Sequence, residues 1–164
     1  MTDVKSNSVP TDPNTALSQV ESEENSITNV PYREAIGSLT FLALVSRPDI
    51  SYAVNLVSRY CNKHNHSHWL AVKRIFKYLI GTANHGILYA ECGGSQVDIN
   101  LCGYSDADFA GDVDTRKSTT GYAFCINNSL VTWSSQRQKL VTLSTTESEY
   151  VAAATACKEV VWFR

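Results

Sequence analysis

A chain of 164 residues with 43% hydrophobic and 18% charged residues has the balance of an ordinary globular protein, long enough for one or two small domains. Its net charge of −2 does not mark a nucleic-acid binder by composition alone. Five cysteines, Cys61, Cys92, Cys102, Cys125 and Cys157, are odd in number and include no C-x-x-C pair, which argues against a disulfide framework or zinc ribbon and for free thiols in a reducing compartment.

Residues 1–30 hold Asp3, Asp12, Glu21, Glu23 and Glu24 against Lys5, with Pro10 and Pro13. Such composition cannot bury a core and predicts a disordered acidic linker. It is not a signal peptide. No apolar run in the chain reaches the ~18 residues of a membrane span, so an intracellular location, cytoplasmic or nuclear, without a membrane partner is expected.

Residues 31–85 read as a helical segment. Pro31 suits the first turn of a helix over 32–45, and Ile36, Leu39, Phe41, Leu42, Ala43, Leu44 and Val45 are so broadly apolar that the helix is expected to be largely buried. Ser46-Arg47-Pro48-Asp49 breaks it. Asp49 is placed to cap a second helix from Ile50 to about Cys61, with Val54, Val57 and Leu56 inward. A third helix runs from His68 to Ile80, with Trp69, Val72, Ile75, Phe76 and Leu79 at helical spacing, and Gly81 stops it. Lys73, Arg74 and Lys77 on this helix are either its solvated side or a face for nucleic-acid phosphates. Cys61, His64, His66 and His68 invite a zinc reading, but no second cluster completes four ligands, and histidines in such a turn are expected to be exposed.

Residues 86–164 change to strand patterns. A short apolar strand is expected over 86–90, a turn at Cys92-Gly93-Gly94-Ser95, and a strand from Val97 to Asp108 whose alternation predicts one buried face. Thr119 to Asn127 is the next strand, with Tyr122, Phe124 and Ile126 on one face. Asn127-Asn128 forms a tight hairpin to a strand over 130–134. Ser144-x-x-Glu147 is a capping box, so a helix starts there and Glu147 bonds back to its start. Glu149 has no such local duty. Helical spacing groups it with Ala152, Ala153, Ala156 and Val160, on a face that should lie on the sheet, where a lone carboxylate is costly to bury. A divalent cation shared with a strand aspartate would offset that cost. The fold class is α+β or α/β: a helical segment, then three antiparallel strands and a helix.

Four blocks carry a resemblance. Tyr104-Ser105-Asp106-Ala107-Asp108-Phe109-Ala110-Gly111, Arg116-Lys117-Ser118-Thr119-Thr120-Gly121-Tyr122, Trp133-Ser134-Ser135-Gln136-Arg137-Gln138 and Leu143-Ser144-Thr145-Thr146-Glu147-Ser148-Glu149-Tyr150 follow in order, with matching spacing. Together they resemble the ribonuclease H region of copia-type retrotransposon Pol polyproteins. Arg47-Pro48-Asp49-Ile50-Ser51-Tyr52-Ala53-Val54, His68-Trp69 and Tyr78-Leu79-Ile80-Gly81-Thr82 extend the likeness to about residues 31–164.

The resemblance implies a thumb or connection segment of a reverse transcriptase over 31–85 and the first part of a ribonuclease H-like fold over 86–164. It implies two-metal hydrolysis of the RNA strand of an RNA–DNA hybrid, with Mg²⁺ or Mn²⁺. Asp106 and Glu149 match the family's catalytic aspartate and glutamate as metal ligands. Asp108 is open between an outer role at the metal and a turn aspartate. Arg116, Lys117 and Arg137 are candidates for hybrid phosphates or for surface solvation. The family pattern also needs a polymerase palm before these blocks and further aspartates after them, which these 164 residues do not contain. The expectation is therefore a fragment, inactive alone, whose partners are the hybrid and the rest of the polyprotein. The alternative is a non-catalytic remnant or binding protein derived from the transposon.

Overall fold

The computed structural model describes residues 5–12, 15–19, 29–89 and 99–163, and the chain divides into two compact units, Met1–Gly86 and Ile87–Arg164. The architecture is mixed α and β, with four α-helices and one three-stranded antiparallel sheet among the described residues.

In the first unit, α1 spans Tyr32–Val45, a 3-10 turn spans Pro48–Ile50, α2 spans Ser51–Ser58 and α3 spans His66–Gly81. The core gathers one stripe from each: Tyr32, Ile36, Leu39 and Ala43 of α1, Ala53, Val54 and Val57 of α2, and Val72, Ile75 and Tyr78 of α3, closed by Ile50 and Tyr60. Each fully buried Leu, Ile or Val here is worth roughly 1.5–3 kcal/mol. Helix α1 is not buried all round as its composition suggested. Phe41, Leu44 and Val45 are 64%, 69% and 57% exposed, because a helix in a three-helix unit turns only one stripe to its neighbours.

The second helix is also shorter than expected, and Asp49 does not cap it. Its carboxylate instead accepts from Arg47 Nε and Nη2 at 3.0 and 2.8 Å and from the Tyr78 hydroxyl at 2.7 Å. Arg47 donates onward to the Thr82 carbonyl at 3.0 Å, so the break between α1 and α2 is tied to the end of α3. Helix α3 begins at a capping box in which Asn65 Oδ1 accepts from the His68 N–H and His68 Nδ1 accepts from the Asn65 N–H. His68 is therefore fully buried, stacked on Tyr60 at 4.0 Å, and His64 stacks on Tyr32 at 4.2 Å. Both are packing residues, contrary to the expectation of exposed imidazoles.

The expected linker is not uniformly solvated either. Leu17 is 6% exposed within the helical core, and the Tyr60 hydroxyl donates to its carbonyl at 2.8 Å. Gly81 is the last helical residue, and Thr82 is the cap, at φ −124°. The glycine serves a close approach: a Cβ there would meet the Ser6 Cβ at 2.7 Å.

In the second unit, β1 spans Leu101–Asp108, β2 Thr119–Ile126, β3 Ser129–Arg137 and α4 Thr145–Trp162. The sheet order is β1-β2-β3, so β1 and β3 are its edges among the described residues. Residues 86–89 form no strand, and the expected turn at 92–95 and strand start at Val97 lie outside the described residues. Asn127 and Asn128, at φ 48° and 65°, form the turn between β2 and β3; two successive left-handed residues match the twist of a hairpin.

Cross-strand pairs Gly103↔Phe124, Ser105↔Tyr122 and Ala107↔Thr120 share one face, because opposed residues point the same way. Helix α4 covers that face: Phe163, just past its end, packs on Phe124 at 5.9 Å between ring centroids, and Ala152 and Ala156 are buried. Phe124 lies over Gly103, where a Cβ would come within 2.2 Å of its ring. The buried face expected for β1 is nonetheless slight, since only Ala107 is even half-buried along the strand.

Candidate functional site

Asp106 stands on β1 opposite Gly121, and Asp108 opposite Thr119. Strand alternation puts both on the face away from α4, with Cys102 and Tyr104. Both aspartates are exposed. Asp108 is turned back onto Gly111, whose missing Cβ would lie 2.7 Å from its carboxyl carbon. Tyr104 has its phenol pushed up, first by a hydrogen bond with Cys102.

Glu149 belongs to α4, which packs on β1 and β2. The start of this helix is held by three local devices. Ser144 Oγ accepts from the Glu147 N–H at 3.1 Å, and Glu147 Oε2 reaches back to the Leu143 N–H at 2.6 Å. Glu147 thus has the structural duty expected of it. Ser148, fully buried, donates to the Thr145 carbonyl at 2.7 Å. Glu149 does not share the buried face as its spacing suggested; the inward positions are Ser148, Ala152 and Ala156, and Glu149 and Ala153 are exposed. The helix rotates its smallest residues onto the sheet, which leaves the carboxylate in water and removes the burial cost that a cation was expected to offset.

A buried polar seam fixes α4 on the sheet. Gln138 Nε2 donates to Thr120 Oγ1 and to the Ser148 carbonyl, both at 3.0 Å, and its backbone N–H donates to the Ser118 carbonyl at 2.8 Å. Ser118 and Thr142 share a hydroxyl contact at 3.0 Å. Ser118 Oγ also accepts from the Ala110 N–H at 3.1 Å. All four sequence blocks therefore meet at one joint, built largely from hydroxyls and one amide.

Asp112 is a buried carboxylate of this unit that the sequence did not single out. It is 2% exposed. Its Oδ2 accepts from Arg137 Nη1 at 2.5 Å and from Thr115 Oγ1 at 2.7 Å, and its Oδ1 from the Asp114 N–H at 3.2 Å. These bonds hold a loop in which Ala110 and Arg116 take left-handed angles of φ 52° and 55°, each costing a non-glycine residue about 1–2 kcal/mol. Its ion-pair partner lies 25 residues on, so no local pattern marks it.

Of the basic candidates in this unit, Arg137 is engaged by Asp112, and Lys117 Nζ donates to the Lys139 carbonyl at 2.7 Å. Arg116 is exposed. In the other unit, Lys73, Arg74 and Lys77 line one open cavity of about 380 Å³ on α3.

Carboxylate oxygens suit Mg²⁺ or Mn²⁺. Among the described residues, however, no group of three or more His, Cys, Asp or Glu side chains is placed to hold one metal ion. Asp106 and Glu149 come from neighbouring elements, with Asp106 on the face that α4 does not cover, and do not by themselves build a metal centre. The histidine turn, with Cys61, builds none either.

The chain is similar to transposon polyproteins. It is 46% identical over 142 residues to the retrovirus-related Pol polyprotein from transposon TNT 1-94 of Nicotiana tabacum, covering 87% of this chain and 10% of that one. It is 44% identical over 131 residues to the Pol polyprotein from transposon RE2 of Arabidopsis thaliana, covering 80% and 9%. The chain thus spans about a tenth of these polyproteins. It is also 43% identical over 134 residues to the secreted RxLR effector protein 161 of Plasmopara viticola, covering 82% of this chain and 92% of that protein. No family model and no solved structure matches it.

Proposed function

Because the chain belongs to the copia-type family of retrotransposon Pol polyproteins, we propose that it is the segment joining the connection of the reverse transcriptase to the first part of a ribonuclease H-like domain. Its role is to bind an RNA–DNA hybrid and to contribute Asp106 and Glu149 to hydrolysis of the RNA strand. The observation that carries this reading is the order of elements in the second unit: an antiparallel β1-β2-β3 sheet with Asp106 on its first strand, followed by a helix packed on that strand with Glu149 in its first two turns. Mg²⁺ or Mn²⁺ is the cofactor the reading calls for. Asp106 and Glu149 are the carboxylates the family likeness assigns to it, and bringing them onto one ion would need the remaining Pol segments. Catalysis then belongs to the larger polyprotein, with this chain as one contributor.

The test is Mg²⁺-dependent cleavage of a labelled RNA–DNA hybrid by the chain alone and with the remaining Pol segments supplied. The expected result is binding without cleavage by the chain alone, cleavage in combination, and loss of cleavage with Asp106→Asn or Glu149→Gln. Full cleavage by a combination carrying Asp106→Asn would overturn the assignment.

A second reading, a non-catalytic binding protein, is favoured by one observation: a relative spanned almost whole by this chain carries the name of an effector. Cleavage by the combination, sensitive to Asp106 and Glu149, speaks against it. Hybrid binding with no cleavage under any combination speaks for it.

A further inference from the structure

Helix α3 carries Lys73, Arg74 and Lys77 but no Asp or Glu anywhere along its length. Lys73 and Lys77 are one turn apart, and like charges at that spacing repel. With Arg74 they line the cavity of about 380 Å³. Among the described residues lining it, the one carboxylate is Asp12, 62 residues away in sequence, whose Oδ2 accepts from Arg74 Nη1 at 3.3 Å. The two side chains keep 37% and 31% of their exposure, and an ion pair so solvated is weak and screened by salt. Asp12 engages Arg74 through Nη1, and a guanidinium carries five N–H donors in all, more than one carboxylate oxygen uses.

The segment that brings Asp12 is anchored elsewhere. Leu17 is in the core with its carbonyl bonded by Tyr60, and Ser6 seats against Gly81. The segment thus has a contact on either side of the Asp12 carboxylate. That carboxylate stands where cations of this spacing would receive a phosphate oxygen.

We propose that residues 5–12 and 15–19 form an intramolecular strap whose Asp12 occupies, in the free chain, a phosphate-binding cavity that Lys73, Arg74 and Lys77 offer to a nucleic-acid backbone. The proposal rests on the nucleic-acid reading above and adds to it the place of contact and a built-in competitor. A bound backbone displaces Asp12 from Arg74, while Leu17 keeps the strap on the unit. Because the contact is with phosphates, its affinity falls as salt rises.

The test is the binding of a fluorescently labelled RNA–DNA hybrid, followed by anisotropy, to the full chain and to its Asp12→Asn, Arg74→Ala and doubly substituted forms. Asp12→Asn should bind roughly two- to five-fold tighter than the parent, the ratio an exposed ion pair of this kind represents. Arg74→Ala should bind more weakly, and Asp12→Asn should bring little gain in its background. Equal binding by the parent and Asp12→Asn, or a gain that persists without Arg74, overturns the strap and leaves the hybrid reading standing. Absence of hybrid binding by both the parent and Asp12→Asn overturns the nucleic-acid reading and the strap together.

Discussion

Gln138 hands one amide nitrogen to two elements at once, the Thr120 hydroxyl on β2 and the Ser148 carbonyl on α4, each at 3.0 Å. The residue after Ser148 is Glu149, so this amide sets the height and rotation of the helix that carries the candidate carboxylate. Gln138→Ala leaves both acceptors without this donor in a buried seam and opens a small void. The expected loss is about 1–3 kcal/mol, read as faster hydrogen exchange of the α4 amides while the exchange of α1 and α3 stays unchanged.

Gly103 and Phe124 pair across β1 and β2 with the ring lying over the glycine. Gly103→Ala puts a methyl group into a ring that is 3% exposed. Overpacking of this kind costs about 1–3 kcal/mol. Chemical denaturation should show that loss, and Phe124→Leu in the same chain should restore part of it by vacating the space.

The pair of Asp112 and Arg137 is asymmetric, with side chains 2% and 38% exposed. Arg137→Ala removes the cation from a buried carboxylate that keeps its Thr115 and Asp114 donors and should cost about 3 kcal/mol, the low end for a broken buried pair. Asp112→Asn leaves a guanidinium that water can reach and should cost less, about 2 kcal/mol. Denaturation of the two variants side by side checks the order. A hybrid-binding defect in Arg137→Ala would then be attributable to the loop rather than to a lost phosphate contact.

Burial pushes the Asp49 carboxyl up, but the hydrogen bonds from Arg47 and Tyr78 outweigh it and hold the group below the ordinary aspartate range. A carboxyl lowered by folding contributes stability that is whole above its unfolded value near ~3.9 and is lost as pH falls through the lower folded value. The first unit should therefore lose stability on acidification below that range. Asp49→Asn should flatten this dependence and lower stability at neutral pH by roughly 2–3 kcal/mol, below the range for a fully buried pair because the Asp49 side chain keeps 32% of its exposure. Thermal melts across the acidic range check both.

The features legible in the sequence were those set within a turn or two of chain. Pro31, the stripe over 32–45 and the break at Arg47-Pro48 bound α1 correctly. Ser144 and Glu147 announced the start of α4, and Asn127-Asn128 the hairpin. What escaped depends on partners far along the chain. Leu17 reads as part of a polar tail until Tyr60, 43 residues on, is folded against it. Asp49 matches a cap signal and Asp112 has no local mark, and the true partners of both are set by tertiary packing. Glu149 and Asp106 stood out by family likeness. Helical and strand periodicity put one on a buried face where the fold leaves it exposed, because the alanines and Ser148 fit the sheet more closely.

Strand β1 ends the sheet among the described residues, with Leu101 and Tyr104 exposed at 38% and 65% and one row of backbone donors and acceptors turned outward. A strand so placed invites a stray strand to add on, and charged side chains are a common deterrent. Asp106 and Asp108 supply two negative charges there. Neutralising Asp106 to probe hydrolysis therefore also removes half of that deterrent. Such a variant should precipitate or self-associate more readily, and light scattering would separate a lost carboxylate from a lost monomer.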